Sequence, residues 1–210
     1  MADNMTPRVA SPEDADLIGR IGAAGFFDDP IMSWAIPDPE ARRVKLGVMF
    51  TGLARDMTTA AGSQVWIVGD SSIAMWRDPS YDHFPTDEAD GESDADGEEG
   101  DEPSGPPLFD EDEQERFDAM RASMREHHAR EPHWYLNVLS TEPARQGQGL
   151  GAAVLAPVLA RCDADGVGAY LESTNPRNRT LYRRSGFADR SEMVIADSPG
   201  MLSMWRAPRP

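Results

Sequence analysis

Arg145-Gln146-Gly147-Gln148-Gly149-Leu150-Gly151 lies between an apolar run, His133 to Leu139, and a helix-like run, Ala152 to Ala164. Glycine-rich chain entering a helix leaves several backbone N–H groups unpaired and aimed outward at the positive end of the helix dipole, which makes an anion cradle. Three readings compete for it. A phosphate-binding P-loop needs GxxxxGK[ST], but Gly151 is followed by Ala152 and Ala153, so the phosphate lysine and the magnesium-binding hydroxyl are both missing. The dinucleotide fingerprint GxGxx(G/A) is met by Gly147, Gly149 and Ala152, with Glu172 closing the next apolar run. Its context fails. The first glycine should follow the strand almost directly, whereas Ser140 to Gln146 intervene, and Ser173 to Pro210 is too short for a second βαβ half.

The third reading is (Q/R)xxGx(G/A), met by Gln146, Gly149 and Gly151. It gains weight from Leu171-Glu172-Ser173-Thr174-Asn175-Pro176-Arg177-Asn178-Arg179-Thr180-Leu181-Tyr182-Arg183-Arg184-Ser185-Gly186-Phe187, a strand, an asparagine-bearing helix and a terminal LYxxxGF. Over roughly residues 133 to 187 the order and spacing of these blocks resemble the GNAT N-acetyltransferases. The resemblance implies an α/β (α+β) fold: a mixed central sheet of about six to seven strands flanked by helices, with two parallel strands splayed at the acetyl-CoA site. It also implies acetyl-CoA as acyl donor, with Arg145, Gln146, Gly147, Gln148, Gly149, Leu150 and Gly151 around its pyrophosphate. Val138 and Leu139 would offer backbone groups to the pantetheine arm, and Asn178, with Asn175 as a weaker candidate, would contact the cofactor.

Composition bounds the rest. A chain of 210 residues with 40% hydrophobic content can build one substantial core, so one domain spanning residues 1–210 is expected. No run of about 18 apolar residues occurs, which excludes a helical membrane span. Met1 to Val9 has no basic segment followed by an apolar core, and Cys162 alone cannot form an internal disulfide; both fit a cytoplasmic protein. The formal charge is −17, but 16 acids lie between Asp82 and Glu115 with no Lys or Arg among them, so the remainder is nearly balanced. Residues 86–107 contain no aliphatic side chain larger than alanine and cannot bury enough surface to offset chain entropy, so a disordered acidic insertion is expected there. Such acid disfavours nucleic acid as a partner. It could draw in a cationic amine, or simply be a tolerated solvated loop.

Taken in order, Arg8 to Ala10 reads as a strand, and Ser11-Pro12-Glu13-Asp14 as a capping-box-like helix start ahead of Leu17, Ile18, Ile21 and Gly25. Phe26, Phe27, Ile31, Met32 and Trp34 crowd a proline-broken stretch that either plugs the core or lines an acceptor pocket. Asp38-Pro39 opens a second helix, Gln64–Val68 and Ile73–Trp76 form a hairpin, and Glu111–Arg130 is a helix with Phe117, Met120 and Met124 on one face. His127 and His128 are adjacent and point about 100° apart on a helix, so no metal is expected there; structural or surface roles fit better. Pro157 should bend the helix after the loop, and two strands, Phe187–Ile195 and Met201–Trp205, close the chain.

Acetyl transfer to an amine needs a held thioester, a neutral amine and a proton donor for the departing thiolate. By the resemblance, Tyr182 is the general acid, and a phenol of pKa about 10 stays protonated at neutral pH without tuning. Glu172, ending the strand beside the pantetheine channel, is the first candidate for the base, and His133 the second. The acceptor is expected to be the primary amine of a small molecule, with antibiotics one candidate class, held by Phe26, Phe27, Trp34, Trp76 and Trp134. A non-catalytic acyl-CoA sensor and a peptide N-acetyltransferase remain the alternatives, and a monomer or homodimer the expected states.

Overall fold

The structure is a computed structural model that describes residues 5–81 and 107–209. The acidic stretch expected to be disordered, 86–107, falls outside the described residues except for its last member. Among the described residues, seven strands form one sheet in the order β1-β2-β3-β4-β5-β7-β6. They are β1 (Pro7–Val9), β2 (Ser63–Val68), β3 (Ser72–Arg77), β4 (His133–Thr141), β5 (Gly168–Ser173), β6 (Ala188–Met193) and β7 (Met201–Arg206). Every neighbouring pair is antiparallel except β4 and β5, which run parallel. This is the expected mixed sheet flanked by helices.

Two packed layers cover it. On one face lie α1 (Ala15–Phe26), the short α2 (Pro30–Ala35), α3 (Pro39–Thr59) and α4 (Glu111–His127), and their apolar residues share a core with Val65, Ile67, Ile73, Met75 and Val138. On the other face α5 (Leu150–Asp165) packs on Ala74, Trp76, Trp134, Leu136 and Leu171, joined by Tyr182 of α6 (Arg179–Arg184). β3 shows the period of 2 that a strand imposes: Ile73 and Met75 face the first layer, Ala74 and Trp76 the second. Among the described residues, no helix is long and apolar enough to cross a membrane.

The helix ends follow the chemistry of their caps. Ser11 and Asp14 form the expected capping box, although its first turn, Pro12–Asp14, is a 3₁₀ turn leading into α1. Asp110 accepts from the Glu113 backbone N–H at 2.9 Å, while the Glu113 carboxylate accepts from the Asp110 N–H at 3.1 Å. Glu113 also pairs with Lys45 of α3, so the single lysine of the chain ties α4 to α3. Gly166, in the left-handed region at φ 68°, ends α5. α5 carries Pro157 in its interior, and Cys162 is fully buried with its thiol pushed up to about 12 by that burial, which leaves it inert.

The site is positioned by one irregularity in β4. Met75 pairs with Val138 but Trp76 pairs with Leu136, so Asn137 is an extra residue in β4, a bulge. Trp134 and Leu136 therefore face α5, whereas Val138, of the same parity, faces α1 and α3. Pairing between β4 and β5 covers only His133↔Gly168, Trp134↔Ala169 and Tyr135↔Tyr170, although β4 continues to Thr141 and β5 to Ser173. The two parallel strands part where the bulge bends β4, leaving a cleft through the middle of the sheet.

Candidate active site

The glycine loop folds at the wide end of this cleft. Gly147 (φ 75°) and Gly149 (φ 83°) both sit in the left-handed region, a combination that turns successive N–H groups toward one side. A Cβ on Gly151 would stand 3.0 Å from Leu181, so glycine there lets the loop approach α6 closely. The cavity over the loop measures about 570 Å³. Arg145, Gln146, Gly147, Gly149, Leu150 and Gly151 form one side, and Arg177, Asn178 and Arg184 the other. Three guanidinium groups around left-handed backbone at the N-terminus of α5 suit a polyanionic group such as a pyrophosphate. Arg177 and Arg184 went unread in the sequence, although both lie inside the PRN and YRR stretches that carry the second motif. Two of the expected contact residues make local hydrogen bonds. Gln148 turns away, its Nε2 donating to the Ala144 carbonyl at 3.5 Å, and Asn175 spends its Oδ1 on the Arg177 N–H at 3.1 Å, capping the turn before α6.

A second cavity, about 300 Å³, occupies the first-layer side of the cleft and shares Leu139 and Asn178 with the cradle. Val138, Leu171, Glu172 and Thr174 line it from the sheet and Tyr182 from α6, and α3 and α4 supply its apolar wall. Tyr182 is 6% exposed, and burial, reinforced by the charge of Asp29, holds its phenol well above the ordinary value, so it stays protonated at neutral pH. Asp29 was not singled out from the sequence. Its carboxylate accepts from the Ile31 and Met32 N–H groups at 3.0 and 3.3 Å and from the Thr174 hydroxyl at 2.7 Å, capping α2 and fixing the end of β5. Burial raises the pKa of this acid, which the three donors partly offset.

Glu172 reaches the same cavity with a side chain only 2% exposed. Its Oε1 lies 3.3 Å from His128 Nδ1, and His128 Nε2 lies 3.2 Å from His133 Nε2. His133 Nδ1 is 2.6 Å from the Glu131 carbonyl, which can only accept, so Nδ1 carries the proton. Burial pushes His133 down to about 4, making it neutral, so its Nε2 must accept from His128 Nε2–H. The remaining ring nitrogen of His128 faces a carboxylate oxygen, and that contact is a hydrogen bond when one proton is held between them. Tyr135 and Tyr170 flank the carboxylate, both phenols raised first by burial and then by the Glu172 charge. His128, expected to be structural or at the surface, thus belongs to a chain running from the cavity through His133 to Glu131. His128 lies just past the end of α4 at His127.

The low pKa of His133 carries a prediction about stability. The folded value of about 4 lies below the ordinary 6.5, so between those pH values the unfolded chain binds more protons, and stability falls as pH drops from 6.5 toward 4. Asp14, held at about 2 by Arg8, contributes only below its ordinary 3.8 and does not confuse that window. Urea midpoints of the wild type should therefore decline between pH 6.5 and 4.5 more than those of His133→Gln. Parallel declines would mean that His133 is not buried neutral.

The aromatic residues expected around the acceptor are spread over several parts of the structure. Phe26 lines the second cavity, packed on Phe50 at a ring separation of 5.0 Å. Phe27 lies beneath the guanidinium groups of Arg42 and Arg43, at 5.0 and 4.7 Å, and not in the cavity lining. Trp34 donates its Nε1–H to Asp197 at 3.1 Å, joining α2 to the β6–β7 connection. Trp76 and Trp134 are buried in the opposite layer against α5, because the strand alternation and the bulge turn them away from the first-layer side.

Residues 71–187, more than half of the chain, match the model of the acetyltransferase (GNAT) family. The chain belongs to that family. A 62-residue stretch is 36% identical to an uncharacterized N-acetyltransferase, C550.08, from Schizosaccharomyces pombe; the match spans 30% of this chain and only about a quarter (25%) of that relative's length. Among solved structures, the chain is similar to the histone acetyltransferase HPA2 and related acetyltransferase from Corynebacterium glutamicum, with a TM-score of 0.65, 23% identity, and 98% and 97% of the two chains covered. It is also similar to the paia N-acetyltransferase from Thermoplasma acidophilum in complex with coenzyme A, with a TM-score of 0.54, 8% identity, and 96% and 97% covered. At these identities the likeness is one of fold.

Proposed function

We propose that the chain transfers the acetyl group of acetyl-CoA to the primary amine of a small molecule by direct attack. One observation carries the reading: an anion cradle and a buried cavity meet at Leu139 and Asn178 where two parallel strands part, with Tyr182 and Glu172 on the cavity side. The coenzyme A held by the paia N-acetyltransferase, a protein of the same fold, supports the donor. In this reading the pyrophosphate lies over Gly147 to Gly151 among Arg145, Arg177 and Arg184, and the pantetheine arm passes Val138 and Leu139 between the strands. Asn178, at the junction of the cavities, contacts the arm.

The acceptor ammonium would meet the Glu172 carboxylate and lose its proton to it, with His128 hydrogen-bonded behind the carboxylate to orient it. The amine nitrogen then bonds to the thioester carbonyl carbon, the carbon–sulfur bond breaks, and the Tyr182 hydroxyl protonates the departing sulfur. Strand His133-Trp134-Tyr135-Leu136, the glycine loop, the helix containing Pro157, and Glu172, Pro176, Arg177, Asn178 and Tyr182 further resemble puromycin N-acetyltransferase, which supports a small-molecule acceptor and makes an antibiotic one candidate. The test has two stages. Calorimetric titration should show acetyl-CoA binding, and an amine panel should release free thiol in a colorimetric assay. No binding removes the proposal; binding without thiol release from any amine would favour an acyl-CoA sensor instead.

A further inference from the structure

We infer that the acceptor is a monoamine carrying a bulky apolar body, aromatic or branched, and that polyamines and lysine-rich peptides are poor substrates. The inference rests on the acetyl-transfer reading of the same site and adds the class of acceptor. It starts from the wall of the second cavity that faces the sheet. α3 supplies Met49, Phe50 and Leu53, and α4 supplies Phe117, Met120 and Met124. Aromatic rings give such a wall apolar area, and methionines let it fit irregular shapes.

Charge in the cavity points the same way. Among the described residues lining it, Glu172 is the only acid and Arg121 the only base. The other buried carboxylates near the helical wall are already committed: Asp29 to two backbone N–H groups and Thr174, and Glu113 to Lys45. Glu172 also faces His128, but among the described residues it is the one carboxylate in the cavity lining, so one ammonium can be matched there. A second ammonium on the same molecule would be stripped of water against methionine and phenylalanine side chains, or would face the Arg121 guanidinium, and nothing in the lining would repay it. Net charge alone suggests the reverse, since 16 acids lie between Asp82 and Glu115 and would attract polycations. Attraction of that kind raises encounter rates and weakens with salt, whereas the cavity lining decides what fits beside the thioester.

The experiment compares 2-phenylethylamine and tryptamine with spermidine and a lysine-rich peptide, in the full chain, by thiol release and by calorimetric titration of each amine onto the protein with and without coenzyme A. The apolar monoamines should exceed spermidine and the peptide in kcat/KM by about 100-fold, the scale on which unpaired polar groups are rejected. A second acid in the wall, Leu53→Glu or, if that variant does not fold, Met120→Glu, should narrow the gap at least about tenfold, since it supplies a partner for a second ammonium. Spermidine or the peptide matching the apolar amines would overturn the inference and leave acetyl transfer intact. Failure of acetyl-CoA to bind would overturn the functional reading instead. Even then, the direct titrations decide the cavity's preference: binding of the apolar amines supports it, and no binding, or tighter binding of spermidine, overturns it.

Discussion

Tyr182→Phe should lower kcat for amine acetylation by about 10²- to 10⁴-fold, the range for loss of a positioned general acid, with the acetyl-CoA dissociation constant nearly unchanged. The separation follows from where the residue lies. Tyr182 lines the second cavity and is absent from the lining of the anion cradle, so the groups that would hold the pyrophosphate are untouched by the change. The ring also has a structural duty, packed edge-on to Phe187 at 6.1 Å within the α5-side core, and phenylalanine preserves it. Burial raises the phenol above its ordinary value, which by itself is poor tuning for an acid. Yet the same desolvation penalises a thiolate departing beside it, so the proton is needed more just where it is held more tightly. Below pH 10 the tyrosine should contribute no limb to the rate profile. A fall in kcat of less than about threefold would remove Tyr182 as the proton donor, and a weakened acetyl-CoA affinity would recast it as a binding residue.

Local pattern and tertiary arrangement account for what could be read in advance. The cradle was legible because left-handed glycines and a helix start are short-range features, written in seven consecutive residues. Phe117, Met120 and Met124 were legible as one face of a helix, and that face does form the cavity wall. Trp76 and Trp134 were not, because both strands are apolar on both faces and periodicity cannot say which face meets which layer. The bulge at Asn137 compounds this: one inserted residue reverses the facing of every side chain after it, and nothing in His133 to Leu139 marks it. Asp29 and His128 come from separate parts of the chain and acquire meaning only when the end of β5 brings Thr174 to the first and Glu172, already read as a candidate base, to the second. Asn175 shows a related effect: an asparagine before a proline turn has a local backbone partner that competes with any ligand.

The second large effect concerns the cradle itself. Gly149→Val should weaken acetyl-CoA binding by at least about 100-fold while the fold survives, because a β-branched residue is a genuine outlier at positive φ and strain of roughly 1–3 kcal/mol must be relieved by changing the loop. Gly149 has φ 83° and ψ −2° and caps α5, so relief means rotating the N–H groups that the cradle presents. Space is not the obstacle. The nearest neighbour of an added Cβ is the end of the Met5 side chain at 3.8 Å, so the cost lies in backbone conformation alone. Gln148→Ala is the matched control: Gln148 is one residue away, exposed, bonded to Ala144 and outside the cavity lining, and its loss should leave affinity within about twofold. Calorimetry on both variants, with circular dichroism to confirm folding, separates a cradle made of backbone geometry from one made of side chains. If Gly149→Val binds acetyl-CoA as the wild type does, the left-handed glycines are not what holds the pyrophosphate, and Arg145, Arg177 and Arg184 would have to carry that role unaided. If Gln148→Ala is the weaker binder, the side chain turned toward Ala144 must swing into the cradle when the cofactor arrives, and the loop is rebuilt on binding instead of being formed beforehand.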